Sequence, residues 1–359
     1  MSNRRDFLKG AAGAAGVLFT SCGILDQRMA AQPPARTPKK QRPIIGGKHT
    51  KSIDVHAHVM IPEAMEMLGR KIEATNANVI AGATVDERLK VMDAWGIDMQ
   101  ALSINAVWYD APRDVAEKVI ELQNQKLAEI VAKYPTRFVA YATSALQFPE
   151  LAAQQIEDGM KKYGLRGASI GGHVNGDELS NPKFDVFWKK AEELGGLLFM
   201  HPQGIPEISK RVAGHGGLTN IIGNPLETTI FLSHLIFDGT LDKFPNLKLC
   251  SAHAGGYLPS YVGRSDMACQ HDAKTCRPGQ KDASEYIKKL YFDSMIFTPE
   301  GMRHLIAACG PSQIMLGTDY PFTWSATILN DVLTLPGLSD KDKRAIVGET
   351  AQKLLKIPA

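Results

Sequence analysis

From Ser52 onward the chain alternates short apolar runs with longer amphipathic ones. Eight apolar runs have the length and the β-branched or aromatic content of strands buried on both faces. They centre on 53–57, 100–104, 138–142, 167–170, 197–200, 247–252, 290–294 and 314–318. The runs between them carry helix signals. Thr84 and Glu87 have capping-box spacing ahead of the apolar stripe of Val85, Leu89 and Met92. Val115, Val119, Leu122, Leu127 and Ile130 mark a second stripe. Asn181-Pro182, Asn224-Pro225 and Thr298-Pro299 each place a capping side chain before a proline suited to the first helical position. Gly195 stands where a helix should stop, just before the fifth strand. Eight such alternations over roughly 300 residues predict an α/β fold, a TIM-like (β/α)₈ barrel in one domain over residues 51–359. An open doubly wound sheet is the alternative, but no Gly-rich phosphate-binding turn follows the first strand.

Composition changes this picture only at the N-terminus. Hydrophobic content of 44% and charged content of 22% are those of an ordinary soluble domain. The net charge of +3 is uneven: residues 1–50 hold nine Lys/Arg against two Asp/Glu, leaving 32 basic and 36 acidic residues beyond them. The body is thus slightly acidic, which gives no electrostatic reason to expect nucleic acid as a partner. The basic start, Asn3-Arg4-Arg5-Asp6-Phe7-Leu8-Lys9, resembles a twin-arginine export signature, and an Ala/Gly-rich apolar run follows from Gly10 to Phe19. That run is too short to span a bilayer. Thr20-Ser21-Cys22-Gly23 resembles a lipoprotein cleavage site, so residues 1–31 read as an export signal with Cys22 as the residue to be lipidated. Residues 32–50, with Pro33, Pro34, Pro38 and Pro43, read as a disordered tether. The expected location is outside the cytoplasmic membrane, periplasmic or lipid-anchored. Among the other cysteines, Cys250 and Cys309 lie in apolar runs, while Cys269 and Cys276 could bridge in an oxidising compartment.

The candidate chemistry gathers at strand ends. In Ile53-Asp54-Val55-His56-Ala57-His58, strand alternation sends both histidines, and Asp54 with them, to one face. Two imidazoles side by side need partners, and a divalent cation satisfies both. The fifth predicted strand ends in His201, the sixth in His253 and the eighth in Asp319. Active sites of such barrels lie at the carboxyl ends of the strands. His173 ends the fourth strand as a candidate substrate contact. His215, His234, His271 and His304 have no such placement. Glu227 reads as a first-turn helical residue favoured by the helix dipole.

On these stretches the chain resembles the amidohydrolase superfamily, and within it the branch around aminocarboxymuconate-semialdehyde decarboxylase. The matching segments are Asp54-Val55-His56-Ala57-His58, Gly171-Gly172-His173-Val174-Asn175-Gly176, Phe199-Met200-His201-Pro202, Asn224-Pro225-Leu226-Glu227-Thr228-Thr229, His253-Ala254-Gly255-Gly256 and Leu316-Gly317-Thr318-Asp319-Tyr320-Pro321-Phe322. The resemblance implies one divalent metal ion, commonly Zn²⁺ with Mn²⁺ as the alternative, held by His56, His58, His201 and Asp319, with His253 as catalytic base. Two-metal members bridge their ions with a carbamylated lysine at the fourth strand; Gly167-Ala168-Ser169-Ile170-Gly171-Gly172-His173 has none, which favours one ion and leaves His253 free to move protons. Three imidazoles and one carboxylate leave room for a water that Zn²⁺ would acidify to a pKa of about 7. Arg264 matches an arginine that the decarboxylases use on a substrate carboxylate across a homodimer interface, a task that suits the guanidinium fork.

Two features depart from that pattern. The loop from Pro202 to Gly223 contains no Phe, Trp or Tyr, where the decarboxylases carry tryptophan. Their second carboxylate-binding arginine has only Arg70 as a stand-in. The expected function is non-oxidative decarboxylation of a small unsaturated or aromatic carboxylate. Hydrolysis of a lactone, ester or amide at the same centre is the alternative, and an exported binding protein built on an inactive barrel is the third reading.

Overall fold

The computed structural model describes residues 42–71, 80, 83–322 and 324–358, so the export signal, Cys22 and most of the tether lie outside the described residues. All eight expected strands form: β1 (Ile53–His58), β2 (Met99–Ser103), β3 (Phe138–Ala140), β4 (Gly167–Ile170), β5 (Leu197–Met200), β6 (Lys248–Ser251), β7 (Tyr291–Asp293) and β8 (Ile314–Met315). Every ladder between neighbours is parallel. The ladders give one run of β1 to β3 and another of β4 to β8. Two seams join these runs. At one, Ala142 bridges Ala168 in parallel, supported by Ala142 N–H to Gly167 O (2.8 Å). At the other, Ala57 bridges Tyr320, and Val55 N–H donates to Leu316 O (2.9 Å). The eight strands therefore close into a (β/α)₈ barrel.

The helices between the strands start and stop largely as their residues dictate. On α1 (Val85–Trp95) the Thr84 side chain accepts from Glu87 N–H and the Glu87 carboxylate reaches back to Thr84, completing the capping box. After α2 (Arg113–Lys133) and α3 (Pro149–Lys161), α4 (Asp185–Leu194) ends at Gly195 in the left-handed conformation, φ 59°. Asn224 does not cap α5 (Asn224–Phe237), because residues 219–223 before it are already helical, as a π-turn. α6 (Leu258–His271) and α7 (Pro299–Cys309) follow, the latter capped by Thr298 as expected. Cys269, near the end of α6, is disulfide-bonded to Cys276, their Cα atoms 5.5 Å apart. Cys250 and Cys309 are buried free thiols.

The last part of the segment expected to be a disordered tether is folded instead. Ile44–Ile45 pairs antiparallel with Lys48–His49 across Gly46 and Gly47, both at positive φ, and Ile45 is buried against the barrel. Ile45 is the apolar anchor of this hairpin, while Ile44 stays exposed beside the Gly-Gly turn. Inside the barrel, Val55, Ala101, Tyr141, Phe199, Cys250 and Met315 pack as one apolar cluster. Tyr141 stacks on Phe199 at 5.5 Å, and the Phe199 ring lies 5.0 Å from that of His56. The site thus rests on an apolar, close-packed floor.

Candidate metal centre

β1 holds a bulge between Asp54 and Ala57, where the register against β2 shifts. The extra residue breaks the two-residue alternation. His56 and His58 still meet, but Asp54 does not join them, contrary to the simple strand pattern. Its carboxylate is taken by His56 N–H and Thr318 N–H (both 3.0 Å), the Thr318 hydroxyl (2.6 Å) and the Gln100 amide (2.9 Å). Burial raises its pKa to about 6 despite these donors. Asp54 therefore braces the β1–β8 seam.

The predicted ligands converge. One donor atom from each of His56, His58, His201 and Asp319 lies within 4.8 Å of the others. His56 Nε2 is 3.0 Å from His58 Nε2 and 3.0 Å from Asp319 Oδ1, and His58 Nε2 is 2.7 Å from the same oxygen. Partners behind the rings orient them. His56 Nδ1 meets Asp293 Oδ2 at 2.7 Å, and His201 Nδ1 donates to Pro202 O at 2.9 Å, leaving His201 Nε2 for the centre. Two imidazole nitrogens facing each other can share only one proton, whereas a cation accepts both lone pairs along with the carboxylate. This buried set of three imidazoles and one carboxylate fits a single divalent ion.

Electrostatics bind the cluster tightly. Burial opposes charge on His56, yet Asp319 and Asp293 overcome it and lift its pKa to about 10. Burial and the neighbouring rings hold His201 well below its ordinary value, and burial lowers His58 despite Asp319. Burial works against the Asp319 anion, but His56 and His58 keep its pKa well below the carboxylate range.

His253 stands beside the four, with its ring 5.3 Å from that of His56 and 5.2 Å from that of His201. Both His253 and Ala254 adopt φ 55°, a left-handed conformation costly for non-glycine residues. Asp293 holds them there, accepting His253 N–H (3.0 Å) and Ala254 N–H (2.8 Å). Burial first, then His56, lowers the His253 pKa to about 4, and among the described residues its buried Nδ1 has no hydrogen-bond partner.

The substrate-side residues scatter more. A cavity of about 990 Å³ opens over the ligands and is lined by His253, Asp319, Phe322, Trp324, Arg70 and Asn224 among others. Arg70 is paired with Asp110 at 2.6 Å in its wall. Both ring nitrogens of His173 are engaged by backbone, Nδ1 by Gly176 N–H (3.1 Å) and Nε2 by Gly204 O (3.2 Å), and the residue does not line the cavity. Arg264 is exposed on α6, away from the cavity of its own chain.

One carboxylate escaped the sequence reading, as did the burial of another. Asp293, at the carboxyl end of β7, joins His56 to the His253 turn; its position at a strand end was the available signal. Glu227 is buried rather than solvated, accepting Gln203 N–H at 2.7 Å and Gly204 N–H in the loop after His201. Burial raises its pKa to about 8. An unfolded glutamate ionises near 4.5 while the folded one keeps its proton to about 8, so this group costs the fold stability as pH rises through that window. Glu227→Gln should therefore gain stability relative to the parent between pH 5 and 8, by about 1–3 kcal/mol at the upper end. Paired thermal-unfolding curves across that range check this; parallel pH slopes would refute it.

Similarity to known proteins agrees with this geometry. The amidohydrolase family profile matches residues 53–357. The 2-amino-3-carboxymuconate-6-semialdehyde decarboxylase of Dictyostelium discoideum is 28% identical over 275 residues, covering 75% of this chain and 76% of that protein. The crystal structure of 5-carboxyvanillate decarboxylase from Sphingomonas paucimobilis superposes with a TM-score of 0.76 at 25% identity, covering 86% of this chain and all of that one. A dihydroxybenzoic acid decarboxylase from Polaromonas sp. JS666, with bound manganese and the inhibitor 2-nitroresorcinol, matches with a TM-score of 0.75 at 26% identity, covering 86% and 97%.

Proposed function

The chain belongs to the amidohydrolase family, in its branch around aminocarboxymuconate-semialdehyde decarboxylase, and on that premise we propose that it is a metal-dependent, non-oxidative decarboxylase of a small aromatic or unsaturated carboxylate. The observation that carries this reading is the convergence of His56, His58, His201 and Asp319 on one point with His253 beside it. The four ligands hold one divalent ion; Zn²⁺ suits the donor set, and Mn²⁺ is the alternative carried by the Polaromonas relative. When bound, the ion supplies Lewis acidity that orients and polarises the substrate oxygens.

The remaining steps belong to the chain. The apolar floor of Phe199 and Tyr141 closes the ligands off from beneath, so that solvent reaches them only through the cavity. As the carboxylate carbon leaves as CO₂, its bonding pair stays on the substrate carbon, which takes up one proton. His253, resting as the neutral imidazole, takes a proton from solvent onto its ring and passes it to that carbon, returning to the neutral form. Asp293 keeps both His56 and the His253 turn in place. Arg264 binds a substrate carboxylate from a second copy in a homodimer, and Arg70 serves the cavity from within the chain.

Hydrolysis of a lactone, ester or amide is the second reading, supported by a donor set that would serve either reaction. The N-terminal signature and the Cys269–Cys276 disulfide together support export, with Cys22 as the site of a lipid anchor. Purified protein loaded with Zn²⁺ or Mn²⁺ should release CO₂ from a panel of hydroxybenzoates and unsaturated acids. Turnover of lactones or esters with no CO₂ from any acid would overturn the assignment.

A further inference from the structure

Asp319 offers its two oxygens to different partners. Oδ1 faces His56 and His58, while Oδ2 accepts the indole N–H of Trp324 at 2.7 Å. Trp324 is 46% exposed, although its polar atom is fully occupied in the site. The exposed surface is not turned to open solvent alone. Trp324 lines the 990 Å³ cavity over the ligands and also a neighbouring one of about 470 Å³, so it is a shared wall between them. On the far side its ring lies 6.0 Å from that of Phe297, which is held at φ 55°. On the near side the same loop places Phe322 edge-on to His58 at 5.8 Å. A large aromatic surface thus borders the cavity and is tied by one hydrogen bond to a ligand residue.

We infer that Trp324 is a positioning and specificity residue: its N–H keeps Oδ1 of Asp319 aimed at the ion, and its ring is the surface against which an aromatic substrate packs. The inference rests on the metal and carboxylate reading above. A carboxylate without this hydrogen bond is free to turn Oδ1 away from the two imidazoles; the bond on Oδ2 fixes its plane and keeps Oδ1 aimed where an ion would sit. Aromatic rings prefer offset or edge-on contact with another ring, a preference that a saturated ring of similar size lacks. Coupling the two tasks in one side chain links ring recognition to ligand geometry.

Two substitutions separate them. Trp324→Phe keeps a ring and removes the N–H; Trp324→Leu removes both. In the full-length protein, Mn²⁺ affinity measured by chelator competition should fall about tenfold in both variants. At saturating Mn²⁺, calorimetry with benzoate and cyclohexanecarboxylate should show roughly fivefold preference for benzoate in the parent and in Trp324→Phe, and none in Trp324→Leu. Unchanged Mn²⁺ affinity in Trp324→Phe, or a benzoate preference that survives in Trp324→Leu, overturns the inference; circular dichroism identifies any variant that fails to fold, and the other then decides. The readouts are binding constants. A protein that met them and released no CO₂ would remove the proposed reaction and leave the role of Trp324 standing.

Discussion

Replacing His56 by alanine is expected to abolish metal binding and turnover together. His56 is the hub of the centre, with Nε2 3.0 Å from both His58 Nε2 and Asp319 Oδ1 and Nδ1 bonded to Asp293 at 2.7 Å. Losing a partner behind a ligand already costs about 10- to 100-fold in metal affinity, so losing the ligand itself should exceed the upper end of that range. The same substitution leaves Asp293 and Asp319 as buried carboxylates short of a cationic partner, an arrangement that costs on the order of 3–5 kcal/mol in comparable buried pairs. Asp293 keeps three backbone N–H donors, from His253, Ala254 and Met295, which moderates the loss. His58→Ala disturbs fewer groups and serves as the companion variant. Metal content by elemental analysis after dialysis, beside activity and thermal unfolding, makes the comparison; a folded His56→Ala protein that retains one equivalent of ion would remove His56 from the ligand set.

The barrel was legible because its determinants are local. Every expected strand forms, and the ends moved by no more than three residues. The largest change is in the eighth, where the ladder to β7 ends at Met315 and the following backbone turns its hydrogen bonds to β1 instead. The four ligands were legible for a related reason: barrel topology sends strand ends to one rim, whatever their separation in sequence. What could not be read depends on events away from strand ends. The bulge in β1 leaves no compositional mark, so Asp54 was assigned to the wrong neighbours. A helical turn before Asn224 removed its capping role. Glu227 stands in the first turn of its helix as read, but its burial depends on the loop after His201, which leaves no local mark in sequence. Trp324 belongs to a segment that returns across the cavity, and no periodicity connects it with Asp319 five residues earlier.

His253→Ala should leave the ion in place and lower turnover by about 10²- to 10⁴-fold, the range associated with a positioned acid–base group. The division of labour follows from geometry. Three imidazoles and Asp319 already complete the donor set, and His253 is not among the residues whose donor atoms come within 4.8 Å of one another. Its backbone is held at φ 55° by the Asp293 carboxylate, a deliberate placement for a residue that is not needed to bind the ion. His253→Asn is the gentler companion, since asparagine tolerates the left-handed region better than most residues. Burial keeps the ring neutral at working pH, with a pKa of about 4. The protonated ring that donates to the substrate carbon is thus a minor form between pH 6 and 8, so turnover in the parent should decline as pH rises through that range, and the residual activity of either variant should lack that dependence. Stoichiometric metal with lost turnover supports the assignment. If either variant instead lost its ion while remaining folded, His253 would be a fifth ligand and the proton would have to be carried by another group.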